Sequence, residues 1–83
     1  MKTTRYFDEQ VTRKRPYIDL AMCAAVIAVP LRTVVQPDRR VRRWAAVTDA
    51  RDGKVRILRV ITLEDGATVH NAFFDRDFVK DGP

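Results

Sequence analysis

The chain has 83 residues, enough for one small domain and too few for two. Apolar residues make up 46% and charged residues 33%, a balance that excludes a disordered chain. There is no serine to act as a nucleophile, and one histidine and one cysteine give neither an internal disulfide nor a metal cluster. No cofactor is expected either, since the three glycines fall at 53, 66 and 82 and form no phosphate-cradling loop.

The net charge of +5 is unevenly placed. Residues 1–43 hold ten Lys/Arg against four Asp/Glu, and residues 44–83 hold six against seven. Twelve of the sixteen cations are arginine, the residue suited to bidentate phosphate contacts and to stacking on bases. Such a half suggests a polyanionic partner, nucleic acid or an acidic protein, set against the alternative of an ordinary solvated surface.

In chain order, Tyr6-Phe7 reads as the start of a short strand. Asp8 reads as the cap of a short helix over Glu9–Arg15, with acids first and bases last, and Pro16 ends it. Asp19 then caps a helix over Leu20–Val29, closed by Pro30. That helix carries no interior charge, so it needs cover on most sides, one of them available to a second chain in a homo-oligomer. The surrounding apolar run, residues 20–31, is too short to cross a bilayer. The first 15 residues are too polar for a signal peptide, so no membrane association and a cytoplasmic location are expected.

From residue 31 the pattern becomes β. LRTVVQ ends at the turn pair Pro37-Asp38, and RVRRWAAVT alternates Val41, Arg43, Ala45 and Val47 against Arg42, Trp44, Ala46 and Thr48. Asp52-Gly53 signals a hairpin before VRILRVITL, and Glu64–Gly66 the turn before ATVHNAFF. Residues 75–83 read as a frayed tail. The expected architecture is a single α+β domain over residues 1–83, with two N-terminal helices packed on a curved antiparallel sheet of about four strands.

Cys23, inside the apolar helix, reads as core packing. Arg13-Lys14-Arg15, Arg39-Arg40 and Arg42-Arg43 are candidate phosphate contacts. Trp44 beside them is either a stacking surface or a core residue. Arg59 shares its strand face with Val55, Ile57, Ile61 and Leu63, and therefore lines a site or pairs with an acid such as Asp75 or Asp19. His70 is expected on one face with Thr68, Ala72 and Phe74, opposite Val69, Asn71 and Phe73. It is the one ready proton carrier of the chain, or else a hydrogen-bonded structural histidine.

YFDEQVTRKRPYIDLAMCAAVIAVPL resembles the opening of the BrnT-like branch of the RelE-type toxin superfamily. The likeness rests on Tyr6-Phe7-Asp8, on Arg13-Lys14-Arg15 and on the segment from Asp19 to Pro30, and the strand texture extends it over about residues 5–78. The resemblance implies two helices against a curved antiparallel sheet. It implies a toxin that cleaves RNA, free or on the ribosome, and a separate antitoxin chain as partner. Two features depart from that group. Arg15 stands where a histidine commonly follows the lysine of the basic helix, and both tyrosines, 6 and 17, lie early in the chain, leaving no C-terminal tyrosine. On this reading His70 is the acid/base, Arg59 or Arg76 stabilises charge, and Arg13, Lys14, Arg15, Arg40, Arg42, Arg43 and Trp44 hold RNA. The alternatives are a non-catalytic module binding nucleic acid or an acidic protein, and a structural dimerisation protein.

Overall fold

The computed structural model describes residues 1–78, and the last part of the expected frayed tail, residues 79–83, lies outside them. The chain begins as a strap along the sheet. The Thr4 N–H donates to the Val69 carbonyl (2.9 Å) and the Val69 N–H to the Lys2 carbonyl (3.0 Å), forming a parallel bridge between Thr3 and Val69.

Tyr6-Phe7 is helical, which corrects the expected strand start. Phe7–Val11 form a π-helical turn that runs into a short α-helical turn, α1 (Thr12–Lys14). Phe7 and Val11, four apart, are both buried, so a helical path inserts both into the core where an extended one would split them. The capping group is Thr4, not Asp8. The Phe7 N–H donates to Thr4 Oγ1 (3.1 Å), while the Asp8 carboxylate accepts from the Thr3 hydroxyl (2.6 Å).

The second helix, α2 (Leu20–Ala28), matches the expected segment to within one residue. Its cap is Asp19, whose Oδ1 accepts from the Met22 N–H at 2.8 Å. Cys23 and Val26 are fully buried, and burial, with the Asp19 charge adding to it, pushes the Cys23 thiol up to about 12, so it packs as a small apolar group. Leu20 and, just past the helix, Val29 and Leu31 stay exposed. No helix of the described residues is long and apolar enough to cross a membrane.

Four strands follow, β1 (Arg32–Val35), β2 (Val41–Thr48), β3 (Val55–Thr62) and β4 (Val69–Phe74), forming one antiparallel sheet in the order β1-β2-β3-β4. The domain is therefore α+β. Its helical segments lie between the N-terminal strap and the sheet, so they do not open the chain as expected. Phe7, Val11, Ile18, Cys23 and Val26 meet Ala45, Leu58, Val60, Val69 and Ala72 across one sheet face, and that layer is the core. Asp52-Gly53 sits within a longer connection between β2 and β3, where Gly53 takes φ +74°.

Strand β4 breaks its alternation at His70. Asn71 pairs with Ile61, but Val69 pairs with Thr62, so His70 is an extra residue in a β-bulge. Val69 consequently joins Ala72 and Phe74 on the core face, which corrects the expected grouping of Val69 with Asn71 and Phe73. The bulge puts the fully buried Val69 in the core and sends the His70 ring toward the strap. Residues 75–78 are ordered rather than frayed: the Asp75 N–H donates to the Ile57 carbonyl (2.9 Å), and the Phe78 ring stacks on Trp44 at 5.8 Å.

Candidate anion-binding face and cleft

The sheet face away from the helices is built on one rung. Arg32 pairs with Trp44, Trp44 with Arg59 and Arg59 with Phe73, so four strands place cation, aromatic, cation and aromatic side by side. The guanidinium carbons sit over the neighbouring rings: Arg32 at 5.6 Å from the Trp44 centroid, and Arg59 at 5.3 Å from Trp44 and 5.1 Å from Phe73. Arg15, from the connection after α1, adds a fifth member at 5.6 Å from Phe73. An arginine held over a ring can still turn N–H groups toward an anion.

Arg59 is the strained member. Its pKa is held below the usual arginine value, chiefly by burial, then by the charge of Arg42, with Asp75 opposing. The Arg59–Asp75 pair is long, 3.8 Å, and the same carboxylate oxygen of Asp75 accepts from the Trp44 indole N–H at 2.9 Å. The Nε atoms of both Arg59 and Arg42 are buried without a hydrogen-bond partner among the described residues. In register, Arg42 pairs with Ile61, which puts it diagonally beside Arg59 on the same face. Arg42 and Arg59 are thus two like charges side by side on one face, and Arg42 makes no ion pair among the described residues.

Phe73, Ile57 and Asp75 carry this face into a cleft of about 470 Å³. Its other walls are Tyr17 and Phe74, stacked at 5.8 Å, and the arginines 15, 51, 56 and 76. Arg51 lies on Tyr17 at 3.6 Å and is fixed from behind by Asp49, a fully buried carboxylate 2.7 Å from its Nη2. Arg56 reaches Asp49 (3.0 Å) and Asp52 (2.7 Å). The guanidinium hydrogen bonds hold both carboxylates below the ordinary range, led by Arg51 at Asp49 and by Arg56 at Asp52. Arg15 and Arg76 make no ion pair among the described residues.

The residues expected to catalyse are not gathered. Arg59 lies on the rung and Arg76 in the cleft, whereas His70 lies at the other end of β4. His70 lies four strand residues from Phe74, where β4 enters the cleft, roughly 13 Å along the strand. His70 Nδ1 is 3.0 Å from Thr4 Oγ1, and its ring stacks on Tyr6 at 5.0 Å. Thr4 Oγ1 also accepts from the Phe7 N–H, so the same hydroxyl ties the His70 ring to the first helical turn. Burial, followed by the Arg40 charge, holds its pKa below the usual histidine value against the pull of Asp38.

The expected RNA contacts divide. Arg13 and Lys14 are exposed at the end of α1, Arg15 lines the cleft, and Arg40 lies in the β1–β2 turn 3.8 Å from Asp38. Arg42 is on the rung face, but Arg43 turns to the opposite face and donates to the Gly66 carbonyl (3.0 Å) and to Thr62 Oγ1 (3.4 Å). Trp44, only 7% exposed, lies under its own arginines and Phe78, so it offers no free ring to a base. Arg32, Arg51, Arg56, Tyr17 and Phe73 escape a reading of the sequence as site residues. Strand register and the fold of the connections bring them into the site, and no local motif marks them. Among the described residues no group of three His, Cys, Asp or Glu could hold a metal ion.

No protein-family model matches the chain, and no curated protein or solved structure matches it.

Proposed function

We propose that the chain is an RNA-binding domain that lays a single strand along the open sheet face, as the likeness to RelE/BrnT-like proteins suggests. The observation that carries this reading is the register-aligned row Arg32–Trp44–Arg59–Phe73, with Arg42 diagonal to it. Backbone phosphates would meet the outer N–H groups of Arg32, Arg42 and Arg59, and half-buried Phe73 and Ile61 would pack against bases. The separation of His70 from the cleft that holds Arg76 favours binding over cleavage by a His70–Arg59–Arg76 set.

Fluorescence anisotropy with a labelled 12-nucleotide RNA tests this. Binding should weaken linearly on a log–log plot against salt. The double reversal Arg32→Glu with Arg42→Glu should cut the slope by about 0.7 for each phosphate no longer neutralised. Salt-independent binding, or an unchanged slope in the double variant, rejects the reading. Gel analysis of the recovered RNA separates it from the toxin reading. Intact RNA supports a binding module, and shortened RNA with loss of cleavage in His70→Ala restores an endoribonuclease, with an antitoxin as its expected partner.

A further inference from the structure

We propose that the cleft at the end of the sheet face is a phosphate-monoester site, taking the phosphorylated end of an RNA strand or a mononucleotide. The proposal rests on the RNA-binding reading only for its strand-end form. The cleft volume of about 470 Å³ falls within the range of small-molecule sites and suits one nucleotide, not a duplex. Tyr17, Phe73 and Phe74 give it apolar lining, with Tyr17 already held between Arg51 and Phe74, and the guanidiniums give it donors for a phosphate.

The balance of charge selects the monoester. Arg51 and Arg56 are matched by Asp49 and Asp52, and Asp75 is matched by Arg59 just outside the cleft. What remains are the two positive charges of Arg15 and Arg76, which have no acid partner among the described residues. A terminal phosphate carries about −1.5 to −2 at pH 7, whereas an internal phosphodiester carries a single negative charge. A terminal phosphate therefore neutralises the pair and an internal one does not. The paired arginines also serve. Arg51, clamped between Tyr17 and the buried Asp49, is pre-set in direction and loses little freedom on meeting an anion.

The test compares 8-nucleotide RNAs of one sequence bearing a 5′-phosphate, a 3′-phosphate or hydroxyls at both ends, with adenosine 5′- and 3′-monophosphate and adenosine alongside. At least one phosphorylated end should bind about tenfold more tightly than the hydroxyl-ended strand, the worth of one additional charge-assisted hydrogen bond. That ratio should fall toward one in Arg15→Gln and in Arg76→Gln. Equal binding of all three RNAs by the wild type removes the end site and leaves the RNA-binding reading standing. A preference that survives both variants also overturns the cleft assignment. Monophosphate binding without RNA binding keeps the site, as one for free nucleotides, and removes the strand reading. Binding of none of these probes removes both.

Discussion

Replacing Arg59 with methionine removes the charge but keeps an unbranched apolar chain between Trp44 and Phe73. The change deletes two cation–π interactions, at about 0.5–1 kcal/mol each, and an ion pair with Asp75 whose 3.8 Å separation places it at about 0–1 kcal/mol. It also relieves a buried Nε with no hydrogen-bond partner, a cost of about 1–3 kcal/mol in the wild type. These effects nearly cancel, so R59M should lie within about 1 kcal/mol of wild type in urea unfolding. The trade is with binding: Arg59 is the central cation of the rung, and the same variant should lose at least about fivefold in affinity for single-stranded RNA at low salt. A charge kept at no gain in stability is the mark of a binding group. A destabilisation above about 3 kcal/mol would instead identify a structural buried pair with Asp75, and unchanged RNA affinity would take Arg59 out of the binding face.

Two further predictions concern the scaffold. Leu58, fully buried where β3 meets the helices, should cost about 2–5 kcal/mol on substitution by alanine, read from the urea midpoint; a loss under about 1 kcal/mol would mean that layer is not close-packed. Acid should unfold the protein in separable steps. His70 is depressed below its ordinary 6.5, so the folded state binds fewer protons there than the unfolded chain, and stability should fall as pH drops through 6.5; His70→Gln should flatten that part of the curve. Asp65 is lowered from 3.8 to about 2 by the Thr68 hydroxyl and then by the Thr68 and Ala67 N–H groups. Its contribution is present above 3.8 and lost as pH falls toward about 2, so Asp65→Asn should remove that step, and an unchanged acid limb would contradict the assignment.

Much of the scaffold is local chemistry that a linear reading reaches. Asp19 caps α2 because its short carboxylate meets the Met22 N–H, whatever surrounds it. The alternation of β2 and β3 separates Arg42, Trp44 and Arg59 from Ala45, Leu58 and Val60 because a pleated strand has a period of two. The same alternation fails at His70, where burying Val69 required one extra residue, and at Tyr6-Phe7, where the core asked for a helical spacing. The site is of another kind. Arg32, Trp44, Arg59 and Phe73 become neighbours only through strand register, which connection geometry and the shared core impose together. Arg15 and Arg51 come from two separate connections and Arg76 from the segment after β4, and they meet in one cleft because the helical segments fold back on the sheet. Sequence determined the helix α2, the strands, the two faces of β2 and β3 and an excess of arginine. Only the tertiary structure decided which arginines are matched by acids and which have no acid partner among the described residues, because charge matching depends on distances between residues far apart in the chain.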